Sequence, residues 1–189
     1  TEDLVTVLKA FKNDDPNGNN KNDEVAFMGA TNGWNTYPEE FILNSFIRYN
    51  RSSPYYLDNG KFEACYDKDA YREGLKYMHR LSAVEGLLDP ATYTQDNSQL
   101  QQLFDNEEIA LVGLAPGGGT FLWSSMEGER VREYNPLPPL KGPAGVQYSY
   151  YDPFGSYYIN EFIITSACKN PEVAFRFADF MYSRDVSMR

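Results

Sequence analysis

Apolar positions at the start of the chain recur every three to four residues. Within 1–12 (TEDLVTVLKAFK), Leu4, Leu8 and Phe11 share one stripe, acids fill the first turn and Lys12 sits in the last. That order suits an amphipathic helix and its dipole. An Asn/Asp/Gly-rich stretch, 14–24, breaks the pattern, and a short apolar run follows at 25–28. Pro38-Glu39-Glu40 then opens a second helix, with proline at its first position and Phe41, Ile42, Phe46 and Ile47 behind it.

Over 55–66, Asn59-Gly60 separates two strand-like stretches and predicts a hairpin. Helical spacing returns over 69–82, where Tyr71, Leu75, Met78 and Leu81 form the apolar set, and Gly86 and Pro90 stop it. Residues 95–104 read as a further short helix and 109–114 (IALVGL) as a buried strand. Pro116-Gly117-Gly118-Gly119 is a turn-rich lead into Phe121-Leu122-Trp123, and the Pro-rich 131–141 is an extended connector. Residues 158–165 read as another buried strand, and Asn170-Pro171-Glu172 caps a last helix bearing Val173, Phe175, Phe177, Ala178 and Met181. No internal repeat is visible. Strands alternating with helices predict an α/β fold.

Charge narrows the function. The 189 residues carry 17 Lys+Arg against 27 Asp+Glu, a net charge of −10, which disfavours nucleic acid because a phosphate backbone wants a basic stripe. No run approaches the roughly 18 consecutive apolar residues of a membrane span. The aromatic content, 15 Tyr, 12 Phe and 2 Trp, fits either a ring-rich core and surface or a cleft lined with flat amphipathic faces, as sugar rings prefer. Cys65 and Cys168 lack C-x-x-C spacing, so free thiols are expected and a structural zinc is not. The single His79 falls on a polar-facing slot and is expected at the surface. The first residues read as a helix start rather than a signal peptide, and the last as a helix in progress, as in a mature segment or an excised piece.

One loop carries candidate metal chemistry. In 15–24 (DPNGNNKNDE), oxygen-bearing side chains stand at alternate positions, Asp15, Asn17, Asn19 and Asp23. A hard cation such as calcium takes six to eight oxygens, and a curled loop offers them every second residue. Lys21 falls where such a loop contributes a main-chain carbonyl, and Glu24 can close the shell with both carboxylate oxygens. The match to an EF-hand is partial: the closing Glu is the tenth loop residue instead of the twelfth, and Asn20 stands at the usual Gly position. The same residues also make ordinary solvated turns. The ion expected here is structural, a staple between helix and strand, since neither a water-activating base nor an open position is suggested.

These pieces in order resemble a known family. The segments LKAFK, DPNGNNKNDE, DNGK, YREGLKY, EGLLDP, PLPPLKGPAG and CKNPEVAFRFAD, spread from about Thr1 to Ser183, look like extracellular solute-binding proteins. These are the maltose-binding-protein-like carbohydrate receptors of ABC importers, including lipoproteins of Gram-positive bacteria. The resemblance implies a periplasmic-binding-protein-like type II fold, in which two α/β lobes close on a sugar. Residues 1–130 would be most of the C-terminal lobe, 131–157 a hinge crossing and Pro/Gly/Tyr-rich connector, and 158–189 a strand and helix returning to the N-terminal lobe. The chain would then be a fragment of the two-lobe clamp. The loop is likewise similar to a calcium site of oligosaccharide receptors, with ligands at Asp15, Asn17, Asn19, Lys21 (main chain), Asp23 and Glu24.

For the ligand, the segment Gly33-Trp34-Asn35-Thr36-Tyr37-Pro38 matches one whose first aromatic packs on sugar, which implies Trp34, with Tyr37 second. Trp123 would correspond to another stacking tryptophan, displaced here by the glycines. The resemblance further implies a carbohydrate ligand, ABC permease subunits as partners, and a cell-surface lipoprotein whose membrane link is a lipid anchor outside this stretch. Trp34 reads equally as a core-edge aromatic. Two other functions stay open on residues alone: a glycan hydrolase using acids such as Glu39, Glu40 and Glu161, and a calcium-stabilised docking module.

Overall fold

In the computed structural model the described residues are 1–106, 111–122, 132–149 and 162–187. They run α1 (Glu2–Asn13), β1 (Val25–Phe27), α2 (Pro38–Leu43), β2 (Tyr55–Asp58), β3 (Lys61–Ala64), α3 (Asp69–His79), α4 (Asn97–Phe104), β4 (Val112–Leu114), α5 (Pro171–Met181) and α6 (Arg184–Ser187). The chain divides into two units, Thr1–Tyr150 and Tyr151–Arg189.

Parallel pairing organises the first unit. β1 and β4 pair with Val25 opposite Val112 and Phe27 opposite Leu114. On the other side of β1, Phe27 bridges Leu88 in parallel, its amide reaching the Leu87 carbonyl at 3.0 Å. Parallel neighbours need crossovers, and helices supply them: α2 and α3 lie between β1 and Leu88, and α4 between Leu88 and β4. This is the α/β arrangement expected. All three segments are apolar because both faces are covered; Phe27, Leu88 and Val112 are fully buried. Leu4, Val5 and Leu8 of α1 pack with Phe27, Ile42, Leu43 and Leu81 in one core cluster, and Met28, Leu100, Phe104 and Val112 form a second.

Local signals explain most boundaries. Pro38 starts α2, and Gly86 at φ +61° ends the helical run that leaves α3 through a π-helical turn, Arg80–Val84. The Asp96 carboxylate caps α4 at the Gln99 amide while the Gln99 side chain returns to the Asp96 amide. Asn59 and Gly60, both at positive φ, turn the β2–β3 hairpin.

Two expectations need correction. In α3 the buried face is Gly74, Tyr77, Met78 and then Leu81, while Leu75 is 43% exposed. The cause is a close approach: Gly74 lies against the Leu43 and Phe46 side chains, so α3 seats on α2 through its glycine and turns Leu75 outward. In the second unit, the expected strand 158–165 is described only from Phe162, and residues 162–165 are irregular, with Phe162 and Ile163 exposed. No described strand lies beside them to complete a ladder, and an unpaired strand leaves its backbone groups to water.

Residues 109 and 110 lie outside the described residues. The described part of the 131–157 segment, 132–149, packs within the first unit: Tyr134 donates to the Val112 carbonyl at 2.8 Å and Leu140 touches the first core cluster. Within the second unit, α5 begins at Pro171 as expected, but the Asn170 side chain makes no capping bond. Cys65 and Cys168 are free, and His79 is exposed.

Candidate functional site

In open parallel sheets the loops leaving the C-terminal ends of the strands carry the binding residues, because the crossovers leave a crevice there. Two such loops meet here. The loop after β1 is closed by the Ala30 amide donating to the Thr36 carbonyl at 3.1 Å. The fully buried Thr36 donates its hydroxyl to the Asn32 carbonyl at 2.6 Å, and Asn32 in turn accepts the Asn97 amide of α4 at 2.7 Å. Gly33 and Asn35 take positive φ, +105° and +56°, and the curl raises Trp34 to 56% exposure.

The loop after β4 comes alongside. The Gly118 amide donates to the Trp34 carbonyl at 2.8 Å, and the Phe121 carbonyl accepts the Gln101 side-chain amide of α4 at 2.8 Å. Trp34 and Phe121 rings then lie 6.4 Å apart at 31°, and Phe121 is 48% exposed. Two large rings thus stand about half exposed, outside either core cluster.

Tyr37 stands next to this pair in sequence but in a different setting. The Arg51 guanidinium lies 3.5 Å over its ring, and Arg51 also approaches Glu39 at 3.6 Å and donates its amide to Glu40 at 2.8 Å. One face of Tyr37 is therefore taken by a cation, which leaves its edge and hydroxyl for other contacts. Around it, Thr31, Tyr37, Glu39, Arg51 and Tyr93 help line a recess of about 150 Å³. The Tyr93 hydroxyl is pushed up from its ordinary pKa, first by partial burial and then by the Glu39 carboxylate. Such a recess offers donors, acceptors and rings together, as a polyhydroxylated ligand requires.

Residue reading pointed to Trp34 and Tyr37 and missed Phe121, Arg51 and Tyr93. Trp123 lies outside the described residues. Phe121 could have been found from its place behind the glycines after β4, where a ring has room. Of the acids a hydrolase would use, Glu39 and Glu40 are engaged with Arg51, and Glu161 lies outside the described residues.

The 15–24 loop is curled. Asp15, Gly18 and Asn20 take positive φ, so Asn20 adopts the left-handed conformation that an EF-hand gives to glycine. Asp15 Oδ1 and Oδ2 accept the Asn19 and Asn20 amides at 3.0 and 2.8 Å, and Asn17 Oδ1 also accepts the Asn19 amide. Asn19 Oδ1 accepts the Lys21 amide at 2.7 Å, and its Nδ2 reaches Asp23 at 3.2 Å. Among the described residues no three His, Cys, Asp or Glu side chains converge as a metal cluster. One group stands apart, however. Glu24 is 6% exposed, and both its carboxylate oxygens are buried without a hydrogen-bond partner in the protein. A buried carboxylate left unpaired costs several kcal/mol, roughly, so this donor set fits a hard cation.

The chain matches the sequence profile of bacterial extracellular solute-binding proteins over residues 2–188. It belongs to that family. The fructooligosaccharide ABC transporter substrate-binding protein FusA of Streptococcus pneumoniae is 31% identical over 186 residues, covering 97% of this chain and 32% of FusA. The solved structure of FusA in complex with kestose superposes with a TM-score of 0.68 at 27% identity, over 99% of this chain and 36% of that one. An EF-hand mutant of FusA in complex with fructo-nystose gives 0.66 at 26%, with the same coverage. The chain therefore spans about a third of the length of these relatives. No described helix is long and apolar enough to cross a membrane.

Proposed function

We propose that this chain is part of an extracytoplasmic receptor of an ABC importer, and that it binds an oligosaccharide without transforming it. Trp34 and Phe121 form the platform on which sugar C–H faces stack, and the recess beside Tyr37 receives hydroxyls. The observation that carries this reading is the pair of exposed rings held at the C-terminal ends of β1 and β4. Each ring rests with one side on the loop after β4 and leaves the other open, and a sugar supplies an apolar face to cover it. The similarity to FusA points the same way. The remainder of the two-lobe clamp, a permease partner and a lipid anchor at the cell surface belong to the same proposal.

We further propose that calcium occupies the 15–24 loop, held by Asp15, Asn17, Asn19, Asp23, the Lys21 carbonyl and Glu24. The ion satisfies the buried Glu24 carboxylate and fixes the end of α1 to the start of β1. It supplies structural charge only, and the sugar site lies on other loops. The buried, unpartnered Glu24 carboxylate carries this assignment, and FusA too has an EF-hand.

Calorimetry of the receptor as its gene encodes it, against kestose and a panel of other oligosaccharides, tests the main reading. Saturable heat without release of reducing sugar is expected. No heat with any member, or sugar release, overturns it.

A further inference from the structure

Why the loop after β4 carries consecutive glycines is legible from what surrounds them. A Cβ added to Gly118 would overlap Cδ2 of Trp34 and lie 2.6 and 2.7 Å from its Cε3 and Cε2. A Cβ added to Gly119 would lie 2.5 Å from Cε1 and 2.9 Å from Cδ1 of Phe121. Each glycine thus has one of the two platform rings resting where its side chain would be. Real Cβ atoms essentially never approach other heavy atoms so closely, so any larger residue must move a ring or the strap.

The loop after β4 that carries these glycines, the strap, is tied at two points. The Gly118 amide is bonded to the Trp34 carbonyl, and the Phe121 carbonyl is bonded to Gln101. Both rings are more than half or nearly half exposed, so their outer surfaces have no core to hold them. The rings stand 6.4 Å apart at a tilt of 31°, with the glycine backbone directly beneath them.

We infer that Gly118 and Gly119 are positioning residues for sugar recognition: a two-glycine saddle that seats Trp34 and Phe121 side by side as one platform. This rests on the reading of those rings as the sugar platform. A side chain at either glycine lifts one ring out of register with its neighbour. The sugar then meets two rings that no longer present a common surface. Affinity falls although no group that touches sugar has been removed.

The test is a pair of double-mutant cycles on the complete receptor, titrated by calorimetry with kestose or with the panel sugar that binds the wild type most tightly. Gly118→Ala is expected to weaken binding about tenfold, and Gly119→Ala by a similar or smaller factor, since part of a ring's burial is lost. In a Trp34→Ala background, Gly118→Ala is expected to add nothing, because it acts through the ring already removed. The same holds for Gly119→Ala in a Phe121→Ala background. This non-additivity is a readout that a general loss of structure does not produce. Should Gly118→Ala melt at a lower temperature than the wild type, the Gly119–Phe121 cycle decides alone.

If Trp34→Ala weakens binding while both glycine variants bind as the wild type does, the saddle is wrong and the platform stands. Equal losses in the two backgrounds also overturn the saddle. If Trp34→Ala and Phe121→Ala both leave affinity unchanged, the platform reading itself fails and takes the saddle with it.

Discussion

Trp34 and Phe121 come from loops 87 positions apart in sequence, yet their ring centroids stand 6.4 Å from one another above the ends of two parallel strands. Each buried ring face is worth about 1–3 kcal/mol against a sugar. Trp34→Ala should therefore weaken oligosaccharide binding by roughly 10- to 100-fold, and Phe121→Ala by less because its ring is smaller. Calorimetry reads both, with thermal melting temperatures expected to stay within a few degrees of the wild type.

Glu24 is the lever for testing the proposed cation. Calcium at about 100 times its dissociation constant would stabilise the fold by about 2.7 kcal/mol. Chelation should lower the melting temperature accordingly. Glu24→Gln should abolish that calcium response while leaving the rest of the loop in sequence. Melting curves with calcium and with chelator check this, and superimposable curves for the wild type would count against the ion.

Tyr77 sets an alkaline limit. Its hydroxyl donates to the Thr1 carbonyl at 2.8 Å, and burial pushes its pKa from 10.0 up to about 12. The folded state therefore keeps the proton through a range where the unfolded chain releases it. Stability is fully present below pH 10 and falls as pH rises toward 12, by about 2–3 kcal/mol in all. Denaturant midpoints between pH 9 and 12 should show the slope, and Tyr77→Phe should make it shallower. Tyr49, partly buried against Tyr71 and likewise raised to about 12, adds in the same direction.

Phe27 joins the parallel pair to the helices. It is fully buried and meets Phe41 edge-on at 6.3 Å. Phe27→Ala should cost about 3–5 kcal/mol, checked by urea titration.

Much of this was legible in the residues. Local chemistry marks Pro38, Gly86 and Asn59-Gly60, so α2, the end of α3 and the hairpin follow from sequence. The EF-like curl was legible too, since Asn20 can take the left-handed turn that glycine takes elsewhere. What sequence withheld depends on distant contacts. Leu75 has the right spacing for a core residue, but the approach of Gly74 to Leu43 and Phe46 decides which face turns inward. Phe121 looks like any core phenylalanine until β1 and β4 pair and bring it beside Trp34. Arg51 lies outside any motif, and only the fold sets it on Tyr37.

The most direct measurement is the part of the receptor's tryptophan fluorescence that Trp34→Phe removes, which isolates the emission of Trp34. Added kestose, or the best-binding panel sugar, should change its emission saturably, with a midpoint matching the calorimetric dissociation constant. Calorimetric binding with no change in that emission would contradict the placement of sugar on Trp34.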